Sequence, residues 1–229
     1  MKKITLLLAA AFTTVVSFAQ EVDTNTGYDL EDSTIYGVNV GGNTSVIKMD
    51  DPGYKTSAGT SFTVGFSGEI GLSEDLSFFG HINYDRRVYS LDYTYIYGGD
   101  DSEVISEKTE STQTANFISI PLGIRFYMGE NRNLFINAGG SVDLFLSGKA
   151  KVENGDSYNY GLSDSGYKDA SFSLFPGLGY RLPLSKENGD DLLFEVKYYI
   201  GLTDTYYGLS SKMNSAQLSV SYRIDWTDM

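Results

Sequence analysis

The sequence predicts an all-β protein that folds as an eight-stranded antiparallel up-and-down transmembrane β-barrel. Three features predict this fold: a leader for export, eight stretches in which apolar and polar residues alternate, and connections that are long and short in turn. Alternation with a period of two is the pattern of strands whose two faces differ. Short turns at one end and longer loops at the other are typical of outer-membrane barrels.

The N-terminal residues have the composition of a secretory signal peptide. Lys2 and Lys3 precede an apolar run that is too short to span a bilayer as a helix, and Ser17, Phe18 and Ala19 give the small-residue pattern of a cleavage site. We therefore expect export and a location in the outer membrane. The predicted division of the chain is 1–19 signal peptide, 20–34 acidic N-terminal extension and 35–229 outer-membrane β-barrel domain.

Eight stretches with period-two alternation follow, and their connections differ in length. The stretches are Ile35–Lys48, Thr60–Leu72, Leu76–Tyr97, Ala115–Met128, Asn133–Lys149, Ala170–Leu182, Leu192–Thr203 and Ala216–Trp226. About 12, 16, 20 and 12 residues follow the first, third, fifth and seventh stretches, whereas the other connections are short. An even number of strands brings both termini to the periplasmic end and closes the ring.

Two irregularities are expected in these strands. Pro121 and Pro176 lie inside strands, where proline removes a donor from the ladder, and bulges are expected to absorb them. In strand three the apolar parity changes between Tyr84 and Tyr89. This change predicts either a bulge near Arg86–Val88 or a hairpin that extends beyond the lipid.

One face of every stretch is apolar, and the other face is polar with balanced charge. In strand two, Phe62, Val64 and Phe66 alternate with Thr63 and Ser67. Five acids, five bases and the one histidine occupy the opposite faces: Glu69, His81, Asp85, Arg87, Arg125, Asp143, Arg181, Glu195, Lys197, Arg223 and Asp225. A narrow interior must pair its charges to offset desolvation, whereas a water-facing surface need not be neutral. We therefore expect a lumenal charge network that fills the barrel, since eight strands enclose just enough room for side chains.

Aromatic residues near the ends of the apolar faces predict an aromatic girdle. Phe126, Phe194 and Trp226 fall near one predicted rim, and Phe62 and Phe172 fall near the other. Aromatic side chains favour membrane interfaces. Their general preference for strands is the alternative explanation.

Charge and composition exclude several classes of function. Cleavage of the leader removes two lysines and takes the net charge from −13 to −15, which disfavours contact with nucleic acid. Cysteine is absent, so no disulfide is expected. His81 is assigned to the interior, away from any lipid-accessible nucleophile. The acidic residues Asp50, Asp51 and Asp100–Glu103 match no metal-binding loop and are interpreted as solvated. We therefore expect no enzyme activity, no cofactor and no metal site.

Three segments stand out as motifs: ISIPLGIRFYMG (Ile118–Gly129), NAGGSVDLFLSGK (Asn137–Lys149) and QLSVSYRIDW (Gln217–Trp226). In these segments the chain resembles the outer-membrane β-barrel domain family common in Bacteroidetes, the group that includes PorT-like proteins. The resemblance covers roughly Ser33 onward. It implies the barrel fold and supplies no catalytic motif.

These features favour a non-catalytic integral outer-membrane protein with a filled polar lumen and long external loops. Outer-membrane lipid and lipopolysaccharide are its expected surroundings. Envelope proteins, such as those of a secretion complex, are the expected partners of the loops, and no nucleic acid is expected. The sequence leaves open a narrow channel for ions or small solutes, a barrel-type lipid-modifying enzyme and a soluble ligand-binding barrel.

Overall fold

The structure, a computed structural model, describes residues 30–31, 33–51, 53–97, 105–152, 155, 157–161, 166–184 and 189–225. The predicted signal peptide, residues 20–29 of the acidic extension and Trp226 lie outside the described residues. The strands in this part of the chain are β1 (Thr34–Met49), β2 (Tyr54–Ser73), β3 (Leu76–Tyr97), β4 (Ile105–Met128), β5 (Leu134–Val152), β6 (Ser157–Tyr160), β7 (Ala170–Pro183), β8 (Asp191–Gly201) and β9 (Ser211–Asp225). No helix among the described residues is long and apolar enough to cross a membrane.

Eight of these strands form a closed antiparallel ring. Each pairs with the next along the chain, and β1 also pairs with β9, from Ile35 opposite Asp225 to Met49 opposite Ser211. The short β6, which the sequence did not predict, pairs with the end of β5 and stands outside the ring. The predicted eight-stranded barrel is confirmed. We call the end where β1 begins and β9 ends, with the connections 74–75, 129–133 and 184–190, the turn end, and the opposite end the loop end.

The wall of the barrel is uneven, because strands continue at the loop end where the sequence predicted long loops. β2 begins at Tyr54 and not at Thr60, β4 begins at Ile105 and not at Ala115, and the connection after β1 is only 50–53. The prediction of a long loop there is wrong, because threonine, serine and tyrosine favour strands even without an apolar face. About 9–11 residues span a bilayer. β3 and β4, with 22 and 24 residues, therefore project well beyond it.

The apolar residues of the strands point outward, away from the barrel axis. Phe66 is 69% exposed and Ile82 is 60% exposed, whereas the neighbouring inward side chains Thr63 and Asn83 are buried. A continuous apolar outer band of this kind is larger than the apolar patches of soluble monomers. It is the lipid-contacting surface of a membrane barrel. The outward direction predicted for the apolar faces is therefore correct.

β3 keeps one parity over its described side chains, which corrects the bulge predicted near Arg86–Val88. Tyr89 and Leu91 point inward, because the lumen becomes apolar towards the loop end. The bulge lies in the neighbouring strand, since β2 has one extra residue between Ala58 and Thr63. The other predicted possibility, a β3–β4 hairpin that extends beyond the lipid, agrees with the strand lengths.

The two prolines are accommodated without the bulges predicted for them. The β3–β4 ladder skips the positions around Pro121 and resumes in the same register, and the β7–β8 ladder does the same around Pro176. On the other side of each strand, Pro121 pairs regularly with Ser141 and Pro176 with Ala138. A strand residue directs its backbone donor to one neighbour only, so each proline interrupts one ladder.

Apolar side chains form three clusters along the barrel axis. The turn-end cluster consists of Leu30, Ile35, Tyr127, Phe135 and Leu193. The middle cluster consists of Phe79, Phe175 and Tyr199. The loop-end cluster consists of Ile47, Tyr89, Leu91, Ala115, Phe117, Phe145, Tyr167 and Met213. Charged side chains lie between them, since the Arg125 guanidinium packs on the rings of both Phe135 and Phe79.

Replacement of Phe66 by arginine tests the lipid-facing side of β2. Phe66 lies in the middle of the outward apolar row from Phe62 to Leu72. A charge at that depth is expected to lower the free energy of unfolding in a bilayer by about 2–4 kcal/mol. The same substitution at Tyr207, which is exposed beyond the wall, should have little effect. Urea unfolding in lipid vesicles measures both, and equal stability of the two variants would contradict the assignment of faces.

Candidate functional site

The lumen is the candidate functional site, because ten charged side chains are buried there among the described residues. Every second residue of a strand points inward, so a spacing such as that of Asp85 and Arg87 puts opposite charges side by side. The ten side chains divide into a turn-end network and a loop-end network. The turn-end network contains Glu69, Arg125, Arg181, Asp191, Glu195, Lys197 and Arg223, and the loop-end network contains Asp85, Arg87 and Asp143.

Glu69 is the centre of the turn-end network. Its carboxylate accepts hydrogen bonds from Ser77 Oγ at 2.6 Å and Tyr127 Oη at 2.7 Å, and it forms ion pairs with both Arg125 and Arg223. A buried carboxylate is stable only when such partners replace its water. Through these contacts Glu69 joins β2, β3, β4 and β9 from the inside.

Glu195 and Asp191 bind the other bases of this network. Glu195 contacts Arg125 Nη2 at 3.0 Å and Lys197 Nζ at 2.5 Å. Asp191 accepts two hydrogen bonds from Arg223, at 2.7 and 2.6 Å. This two-bond arrangement is the strong geometry for an arginine and a carboxylate, and it fixes β8 against β9.

Arg87 is the centre of the loop-end network. It lies between Asp85, at 2.7 Å, and Asp143, at 2.9 Å. Asn43 Nδ2 donates to Asp85 at 2.7 Å, and Ser119 Oγ donates to Asp143 at 2.5 Å. Two acids and one base give this network a charge of −1, and three acids and four bases give the turn-end network +1, so the described lumen is neutral.

The structure buries all but one of the eleven residues that the sequence assigned to the lumen. The exception is Asp225, which lies half-buried at the turn end beside Gly189. Asp191 is the fifth buried acid in its place, and Arg181 Nε lies 3.5 Å from its carboxylate. The predicted strand begins at Leu192, one residue later, so Asp191 was not among the eleven. Its even spacing from Glu195 is the signal that could have identified it as an inward residue.

Four of the five predicted girdle aromatics are described, and all four lie on the outward face. Phe126 and Phe194 lie towards the turn end, whereas Phe62 and Phe172 lie towards the loop end. Trp226 lies outside the described residues. The girdle itself stays a prediction.

Leu30 closes the turn end of the lumen. It is buried in the turn-end cluster, and its carbonyl accepts a hydrogen bond from Ser33 Oγ at 2.8 Å. A Cβ on Gly71 would lie only 1.6 Å from that carbonyl oxygen, so this close approach requires glycine. The end of the predicted acidic extension is thus part of the barrel, and Thr34 already belongs to β1.

Tyr167 and Tyr206 close the loop end from two different connections. Lys168 N donates to Thr205 O at 2.9 Å and holds the two connections together. The Tyr167 ring stacks on Phe145 at 4.5 Å between centroids, and Tyr206 Oη donates to Tyr167 Oη at 3.1 Å. Burial raises the pKa of both phenols above the ordinary value. They therefore stay neutral at physiological pH and close the opening with aromatic rings.

Charged and aromatic side chains lie along the described lumen between these closures. The gap beside Glu69, Arg125 and Arg223 is too small for a water molecule. His81 lines this gap, where its Nδ1 lies 3.3 Å from Asn39 Nδ2. In the part of the chain that the structure describes, no group of three or more histidine, cysteine, aspartate or glutamate side chains is arranged to hold a metal ion.

Replacement of Glu69 by glutamine tests the turn-end network. The variant leaves Arg125 and Arg223 without their shared carboxylate, so we expect the free energy of unfolding to fall by roughly 3–5 kcal/mol. Glu74→Gln is the matched control, because it breaks an exposed ion pair with Arg132 that is worth about 1 kcal/mol or less. Denaturant unfolding of the refolded barrel in detergent compares the two. A loss at Glu69 no larger than that of the control would mean that the lumen is hydrated.

Comparison with known proteins identifies the family. The family model described as outer membrane protein beta-barrel domain matches residues 18–207. No curated protein matches the chain. Ail, the attachment invasion locus protein of Yersinia pestis, is 17% identical over 82% of this chain and 97% of its own, with a TM-score of 0.44. OprG of Pseudomonas aeruginosa is 14% identical over 86% and 97%, with a TM-score of 0.43. Because the family model covers most of the sequence, the chain belongs to the outer membrane protein beta-barrel domain family.

Proposed function

We propose that this outer-membrane barrel is non-catalytic and non-conducting, and that its projecting strands contact partners in the envelope, such as the proteins of a secretion complex. The observation that carries the proposal is the lumen, where ten buried charges form two ion-pair networks between two aromatic or apolar closures, and the gap beside Glu69 is too small for a water molecule. A solute channel needs a continuous wet path. A lipid-modifying enzyme needs a base beside a nucleophile at the lipid surface, and His81 is buried inside.

The loop-end ribbon is the surface that we assign to partners. It consists of β3 from Tyr89 to Tyr97 and β4 from Ile105 to Gln113, which pair without a break. β4 gains its second neighbour, β5, only from Ser111 onward among the described residues. The outer part of β4 therefore presents a strand edge, to which another chain can add a strand. Because the hydrogen bonds between β3 and β4 already order this ribbon, it loses little conformational entropy when a partner binds.

The finer family placement belongs to the same proposal. The segments Ile118–Gly129, Asn137–Lys149 and Gln217–Trp226 support a relation to the PorT-like proteins of Bacteroidetes. Lys2, Lys3 and the apolar run behind them support a cleaved signal peptide. Mass spectrometry of the mature N-terminus in membranes tests the cleavage.

Conductance in planar bilayers tests the filled lumen. The purified barrel should give a current at the background level, since the two charge networks occupy the cross-section. A variant with both Tyr167→Ala and Tyr206→Ala should stay silent as well, because the networks below the closure remain. Stable single-channel steps from the unmodified barrel would overturn the proposal and favour a narrow channel.

Site-specific photo-crosslinking in native membranes tests the ribbon. A crosslinker at Glu110, exposed on the ribbon, should capture envelope proteins, and one at Leu174 in the lipid-facing band should not. Mass spectrometry of the products identifies what is captured. Recovery of the uncrosslinked barrel alone from both positions would count against a partner at the ribbon.

A further inference from the structure

On four strands, the first charged outward side chain above the apolar band is basic. The outward rows of β1, β3, β5 and β9 contain no charge from the turn end up to Lys48, Arg86, Lys149 and Lys212, and all four side chains are exposed. Arg86 lies 10 residues from Leu76, the first residue of β3. A strand crosses a bilayer in about 9–11 residues. Arg86 therefore lies where the headgroups of the leaflet on the loop-end side begin. Lys48, 14 residues from Thr34, and Lys212, 13 residues from Asp225, lie a few residues further out on the same side.

Lys48 and Lys212 are directly opposite each other in the β1–β9 pair. Opposite residues of antiparallel strands have Cα atoms about 4.5–5.5 Å apart, and like charges there destabilise the pair. Neither lysine forms an ion pair with an acid among the described residues. The nearest acid along the chain, Asp50, follows β1 and accepts a hydrogen bond from Ser210 Oγ at 2.6 Å. The two ammonium groups thus share one exposed position, and no acid of the described residues contacts either of them.

We propose that Lys48 and Lys212 together bind one phosphate group of a phosphorylated glycolipid in the outer leaflet, such as lipopolysaccharide. A phosphate monoester supplies negative charge that can contact both ammonium groups at once. Its acyl chains would lie along the outward row below, where Val46, Val40 and Val38 belong to the apolar band. The inference rests on the proposed location in the outer membrane and on the orientation expected from the sequence, in which the loop end faces the outside of the cell.

Charge complementarity and depth together select this occupant. Arg86 and Lys149 lie near the same edge on another part of the wall, so the positive charge follows the boundary of the band and does not mark a single loop. The chain as a whole has a net charge of −13. A basic edge attracts the phosphate of a lipid whose acyl chains already lie along the apolar band. A large soluble polyanion would also meet the acidic residues of this protein, which repel it.

Binding of lipid A to the folded barrel in detergent tests the site. The unmodified protein should bind phosphorylated lipid A about tenfold or more tightly than chemically dephosphorylated lipid A, because two ammonium groups contact the phosphate. A variant with Lys48→Ala and Lys212→Ala should lose this preference. Lys55→Ala is the matched control, because Lys55 is an exposed strand lysine that already has Asp92 directly opposite.

Lys212→Glu separates binding from folding. It replaces the repulsive pair with an attractive one, so the variant should fold at least as stably as the original and still lose the preference for phosphorylated lipid A. Unchanged binding in Lys212→Glu, or equal loss in Lys55→Ala, would overturn the site. Inorganic phosphate alone should not raise the free energy of unfolding of the unmodified barrel. If it raised that free energy as much as lipid A does, the site would bind free phosphate and not specifically a lipid. None of these results depends on whether the barrel conducts or binds a protein.

Discussion

Charge neutrality inside a closed ring is the constraint on which the rest of the structure depends. An ion removed from water loses several kcal/mol of solvation, and only well-placed partners offset that loss. Each inward charge must therefore meet a specific opposite charge from another strand. A slip of one residue in any ladder would turn a whole row of side chains to the other face. The ion pairs of Glu69 with Arg125 and Arg223 consequently help to specify the register of the strands that they join.

The sequence predicts the ring well, because period-two alternation is a local signal that every strand repeats. It also identifies most of the lumenal charges, since their parity is opposite to that of the apolar residues. Asp191 escaped because a single acid at a turn boundary looks like turn chemistry. Tyr89 and Leu91 suggested a bulge because an apolar side chain in a membrane barrel is expected to face lipid. No local feature of the sequence reveals that the lumen beneath the loop end is itself apolar.

The sequence pattern also could not predict how far the strands extend at the loop end. Ladder hydrogen bonds stabilise a strand regardless of which side chains it carries, so a polar hairpin continues as long as its neighbour continues. The result is a wall that is tall along β3 and β4 and low along β8. Over the low side, Tyr167 and Tyr206 cover the lumen. The unequal strand lengths therefore account both for the projecting ribbon on the tall side and for the position of the two covering tyrosines over the low side.

The seam between β1 and β9 bears on how the protein is made. Its two strands are the first and the last that the structure describes, and they fit closely: a Cβ on Gly37 or Gly41 would lie 2.6 or 2.4 Å from a β9 carbonyl oxygen. Until β9 is available, β1 is paired on one edge only, by β2, and its other edge is open. The ring can close only when β1 and β9 meet, and the open sheet has to be shielded from other strands until then.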